Sequence, residues 1–207
     1  MNRSKKDRAI GRPAAAARRF RPTAALLLAM AAAGLLPMAA TASAAGPAAA
    51  RHAEAAELSL LRFFDGRARS HGTTTPLIGR AETFTATFTG TVAGRHLSLD
   101  ERFRFEDGRR LQHWDLTRTA RGRYEGTVRT ELGDGTMAPP VRVEGHGFAG
   151  GAVLAYDGYA PGGGRILLGF RHVMRRLGPD RVENRVTIAK FGLPIAHADV
   201  IFRRAGR

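Results

Sequence analysis

The 207-residue sequence contains no cysteine, which excludes disulfides, thiolate metal sites, a cysteine nucleophile and a lipidated N-terminal cysteine at once. A domain of this kind folded outside the cytoplasm must rely on its own core. Hydroxyl nucleophiles are scarce: beyond residue 44 only Ser59, Ser70 and Ser98 are serines, and none sits in a nucleophile-elbow motif. The seven histidines, from His52 to His197, show no i, i+2 or i, i+4 pairing, so spacing alone predicts no metal site and no cofactor. Long apolar runs are also missing. The best, residues 23–36, is shorter than the ~20 residues a spanning helix needs and is followed by Pro37.

Three blocks of different character make up the N-terminal 44 residues. Residues 1–22 are basic, 23–36 are apolar and rich in Ala and Leu, and Ala42-Ser43-Ala44 is a small-x-small cleavage site. This is the layout of a secretory signal peptide, with cleavage expected after Ala44, an Ala-rich linker over 45–56 and a domain over 57–207. The alternative is an uncleaved anchor. Arg18-Arg19-Phe20 resembles part of a twin-arginine export signal and leaves the route open. The implied location is the periplasm or the exterior, and without cysteine the chain is not a lipoprotein. From Ala45 onward there are 25 basic and 17 acidic residues, a net +8 against +15 for the whole chain. These arginines are scattered through the strand-like segments, with Lys190 the one lysine. No aromatic residues interleave with them as a stacking platform, which argues against nucleic acid. An anionic membrane surface is the better electrostatic partner.

Residues 99–114, LDERFRFEDGRRLQHW, carry the clearest structural signal. Leu97, Leu99, Glu101, Phe103 and Phe105 alternate with Ser98, Asp100, Arg102, Arg104 and Glu106, the period of a half-buried strand. Asp107-Gly108 reads as a type I′ turn. That turn predicts the pairs Phe105 with Arg110, Phe103 with Gln112, Glu101 with Trp114 and Leu99 with Leu116. A three-residue loop ending at Arg109 shifts the register by one and turns Trp114 outward, so the first register is preferred. A short helix over 57–64 precedes this hairpin, and a strand over 82–92 presents an outer face of threonines. Further strands are expected at 124–132, 141–148, 152–159, 165–174, 181–191 and 196–204, separated by Gly- and Pro-rich turns.

About nine strands at hairpin spacing with no helix between them exclude a parallel α/β sheet. The expected fold is all-β, an antiparallel up-and-down barrel of about 8–10 strands, lipocalin-like, with one short N-terminal helix. Gly145-His146-Gly147-Phe148-Ala149-Gly150 matches G-x-G-x-x-G, but a strand follows where a nucleotide site needs a helix. The candidate site is the inward polar group: Glu101, Arg110, Gln112 and Trp114 of the hairpin, with Asn184 and Lys190 on the alternating face of Val182, Val186 and Ile188. A buried acid beside an aromatic suits a ligand anchor or a general acid. An internal ion pair that only fixes register is the plainer account. Three functions follow from this: a barrel binding an apolar or amphipathic, lipid-like ligand; an envelope structural or interaction protein with a filled barrel; or an enzyme acting on such a ligand.

Several motifs resemble the domain-of-unknown-function 3833 family of exported proteins. They are Phe63-Phe64-Asp65-Gly66, the run from Leu99 to Gly108 with Trp114, Gly122-Arg123-Tyr124-Glu125-Gly126, and Asn184-Arg185 with Lys190-Phe191-Gly192. The similarity runs from about Leu58 to Arg204. The family is itself similar in pattern to lipocalin-like barrels, which implies lipid handling by association. Many members resemble lipoproteins, and the missing cysteine implies a soluble periplasmic form here. Where the family tends to carry an acidic pair before tryptophan, this chain reads Gly169-Phe170-Arg171-His172-Val173-Met174. The resemblance supplies no catalytic residues.

Overall fold

A computed structural model describes residues 58–120 and 122–205. The expected signal peptide, its cleavage site, the linker and the first residue of the expected helix lie outside the described residues. Helix α1 (Leu60–Phe64) is followed by ten strands: β1 (Gly66–Pro76), β2 (Glu82–Ala93), β3 (His96–Phe105), β4 (Gly108–Arg118), β5 (Arg123–Thr130), β6 (Val141–Phe148), β7 (Gly151–Gly158), β8 (Leu168–Gly178), β9 (Arg181–Lys190) and β10 (Leu193–Arg204). Each strand pairs antiparallel with the next, and β1 pairs with β10, closing an up-and-down barrel of lipocalin-like architecture. Closure leaves no sheet edge to protect.

Strand β1 was not expected from the sequence, and its composition explains why. Its inward positions are Ala68, Ser70 and Gly72, too small to register as an apolar alternation. The small side chains are needed there, since a Cβ on Gly72 would lie 2.7 Å from the Phe84 ring. In the neighbouring strand the alternation is complete. In β2, Phe84, Ala86 and Phe88 are buried while Thr83, Thr85, Thr87 and Thr89 face solvent. Two strand starts shift by three residues: β8 begins at Leu168, and the last turn is Phe191-Gly192, so β10 starts at Leu193. Strand β8 also runs on to Gly178, and the other expected strand limits move by two residues or fewer. Gly145 to Gly150 lies on the β6–β7 hairpin, as its context indicated.

The β3–β4 hairpin corrects the expected register by two residues. Phe105 pairs with Gly108, Phe103 with Arg110, Glu101 with Gln112 and Leu99 with Trp114. The turn is Glu106-Asp107, with Gly108 at φ +147° as the first residue of β4 in place of a turn position. A two-residue slip preserves which side chains face inward. Leu97, Leu99, Glu101, Phe103, Gln112, Trp114 and Leu116 are accordingly all buried. On the outer face His113 lies 2.8 Å from Asp100 and 3.2 Å from Asp115.

Helix α1 covers one end of the barrel. Ser59 caps it by accepting from the Arg62 amide at 3.3 Å. The Leu60 amide donates to the Tyr124 hydroxyl, which donates to the Leu58 carbonyl, at 3.2 and 3.4 Å. Phe64 packs on Phe88 and Phe202 at centroid distances of 5.2 and 5.5 Å. The other end, the mouth, is ringed by the β1–β2, β3–β4, β5–β6, β7–β8 and β9–β10 connections.

Candidate functional site

A layer of polar side chains crosses the apolar interior, one or two from each of six strands. Glu101 of β3 accepts a hydrogen bond on Oε2 from Trp114 Nε1 of β4 at 3.1 Å. Gln112 Nε2 donates to Thr130 Oγ1 of β5 at 2.9 Å, and Gln112 also hydrogen-bonds the Tyr156 side chain of β7. Asn184 Nδ2 of β9 lies 3.2 Å from His172 Nδ1 of β8. The aromatic members lock together: Tyr156 stacks on Phe170 at 5.0 Å and on His172 at 5.7 Å, while Trp114 meets Tyr156 edge-on at 5.5 Å.

This layer is uncharged at neutral pH. Burial pushes the Glu101 carboxyl up to about 8, only partly offset by the Trp114 hydrogen bond. Burial pushes His172 down to about 4. Burial, and secondarily the proximity of Glu101, pushes the Tyr156 phenol above its ordinary range, against the Gln112 hydrogen bond. With Asn184 donating to Nδ1, the neutral His172 ring carries its proton on Nε2. That Nε2 and Asn184 Oδ1 are both buried without a hydrogen-bond partner. The protonated Glu101 retains an O–H beyond the oxygen held by Trp114. The layer thus presents a donor, His172 Nε2, and an acceptor, Asn184 Oδ1, with unmet capacity, a combination that complements a polar group of a ligand.

Two interior chambers adjoin this layer, and Glu101, His172 and Asn184 line both. One, of about 50 Å³, lies toward α1 between Leu60, Phe64, Leu116 and Phe202. The other, of about 90 Å³, lies toward the mouth between Phe84, Phe105, Pro161 and Ile188. Both are far below the ~300 Å³ of a pocket that swallows a whole drug-sized ligand. Larger depressions of about 510 and 370 Å³ are open clefts, one on the outer wall around Arg142, Asp157 and Arg171, the other beside α1 around Arg62 and Arg118. Neither is lined by Glu101, His172 or Asn184.

Of the six residues expected from sequence, the structure brings Glu101, Gln112, Trp114 and Asn184 together. Arg110 and Lys190 stay at the mouth. Arg110 reaches back to its own turn, with Nη2 3.2 Å from Asp107 Oδ2 and Nη1 donating to the Arg109 carbonyl at 2.7 Å. The Glu101–Arg110 ion pair therefore does not form. Lys190 ends β9 with its ammonium 5.5 Å from the Phe191 ring centre. Sequence reasoning missed His172, Tyr156 and Thr130. A signal was present, because His172 alternates in step with Phe170 and Met174, and Thr130 with Val128.

The family model described as "Protein of unknown function (DUF3833)" matches residues 38–204. The chain belongs to the DUF3833 family. No curated protein matches it. Among solved structures, this DUF3833 barrel is similar to the S-type phycobiliprotein lyase CPES from Guillardia theta. That similarity has a TM-score of 0.48 at 12% identity, covering 71% of this chain and 91% of that one.

Proposed function

We propose that this DUF3833 barrel is an exported, periplasmic binding module that holds part of an amphipathic, lipid-like molecule against the polar layer. The observation that carries the reading is the convergence of two unpartnered buried atoms, His172 Nε2 and Asn184 Oδ1, with the uncharged Glu101 carboxyl on two otherwise apolar chambers. Leaving such atoms unpaired costs ~1–3 kcal/mol each, a cost that an occupant with a hydroxyl, amide or carboxyl group relieves. Given the chamber volumes, the bound portion is a polar group or a short chain segment, with the remainder in the mouth.

The same small volumes favour a second reading, a filled barrel whose polar layer only fixes strand register. Displacement of a fluorescent fatty-acid probe separates the two. The binding module gives saturable probe binding that weakens about tenfold in Asn184→Leu, the effect of losing one useful hydrogen bond. Absence of saturable binding to the folded wild type favours the filled barrel.

A further inference from the structure

Among the described residues, eight large apolar side chains are exposed, and seven of them stand at the mouth. They occupy three connections that are neighbours around the rim, because β7, β8, β9, β10, β1 and β2 follow one another in the wall. The β1–β2 loop carries Leu77 and Ile78, the β7–β8 loop Ile166 and Leu167, and the β9–β10 hairpin Phe191, Leu193 and Ile195. The Leu77 amide donates to the Ile195 carbonyl at 2.8 Å, tying the first segment to the last.

Charge follows the same division. Each of these three segments contains one cation, Arg80, Arg165 or Lys190, and no carboxylate. Of the acidic groups near the rim, Glu106 and Asp107 in the β3–β4 turn and Glu131 and Asp134 after β5 sit in the other sector, where no large apolar side chain is exposed, while Glu82 opens β2 behind Arg80 and Asp157 lies near the end of β7, both outside the three apolar connections. Arg165 reaches across to Asp134 at 3.5 Å, yet its side chain remains 65% exposed.

The tip of the β9–β10 hairpin adds an independent observation. Phe191 has φ +52° and is 93% exposed, followed by Gly192 at φ +78°. The first position of such a turn favours Asn, Asp or Gly, and a bulky residue at positive φ is a backbone outlier. The phenyl ring meets the Lys190 ammonium at 5.5 Å and is otherwise exposed to water, and strain of this kind collects where function requires it.

We infer that this sector of the mouth docks on an anionic lipid bilayer, with Leu77, Ile78, Ile166, Leu167, Phe191 and Leu193 entering the headgroup boundary and the three cations meeting lipid phosphates. Apolar tips flanked by cations and free of carboxylates are the chemistry that an anionic interface recognises. The inference does not rest on the chambers holding a ligand, and it stands equally for a filled barrel.

Because the chain lacks cysteine, one introduced thiol labels one place. The full-length Ile78→Cys protein, carrying an environment-sensitive fluorophore, is titrated with vesicles of equimolar phosphatidylglycerol and phosphatidylethanolamine. The label brightens and shifts to the blue, less so with phosphatidylcholine alone or at high salt. The same label at Leu177→Cys, the exposed apolar site outside this rim, does not respond. Adding Phe191→Asn to the Ile78→Cys protein weakens the response about tenfold without lowering the melting temperature, because Asn suits the turn. Leu193→Ser, outside the strained position, acts in the same direction. No response at position 78, an equal response at position 177, equal binding to both vesicle types, or unchanged binding in both variants overturns the inference.

Discussion

At the scale of single residues, Glu101 and His172 give the barrel a pH signature. A carboxyl raised to about 8 from its ordinary 4.5 stabilises the fold fully below pH 4.5, and that contribution is lost as pH rises toward 8. A histidine lowered to about 4 from 6.5 does the opposite, contributing stability above pH 6.5 that is lost as pH falls through 4. Between about pH 4.5 and 6.5 the two slopes oppose each other. From 6.5 to 8 only Glu101 acts, and its contribution falls by on the order of 2 kcal/mol. In Glu101→Gln that decline disappears and the histidine's rise up to pH 6.5, offset in the wild type, becomes visible, a contrast that urea midpoints measured across this range detect. If Glu101 instead neutralised a buried cation, the substitution would cost on the order of 3 kcal/mol at every pH above the carboxyl's titration.

The individual elements show what the sequence made legible and where it stopped. Period-two alternation exposed the inward faces of β2, β3 and β4, so Glu101, Gln112 and Trp114 could be identified as interior polar residues before any coordinates. Register was less visible, because Asp107-Gly108 has the composition of a two-residue turn, whereas Gly108 serves as the first residue of the returning strand. Arg110 has the inward parity, but its long side chain lets the guanidinium return to Asp107, a choice that alternation cannot encode. Strand β1 was hidden for a packing reason, since its inward residues must be small. Helix α1 depends on a similar close approach: a Cβ on Gly90 would collide with the Phe64 carbonyl oxygen. Gly90→Ala is therefore expected to lift the end of α1 and cost ~1–3 kcal/mol, as overpacking does, with a matching drop in the urea midpoint. An unchanged midpoint would mean that α1 is not held against β2.

For the whole molecule, the wall is apolar inside and polar outside, the reverse of a barrel that spans a membrane. The threonines of β2 and the outward Asp100, Arg102 and Arg104 of β3 face water, which confines apolar exposure largely to one sector of the mouth. Closure of the sheet, its topology and its helical cover were within reach of the sequence, because hairpin-length links leave few alternatives. The interior volume was not, since it depends on how Phe84, Phe103, Tyr156 and Phe170 pack across the barrel. That volume bears directly on whether the protein is a container or a plug. Native mass spectrometry of the protein recovered from its own cell envelope tests the binding module most directly. The account predicts a mass adduct of an amphipathic small molecule on the folded chain, diminished in Asn184→Leu. A bare polypeptide mass for the wild type, with the charge-state distribution of a folded barrel, would contradict it.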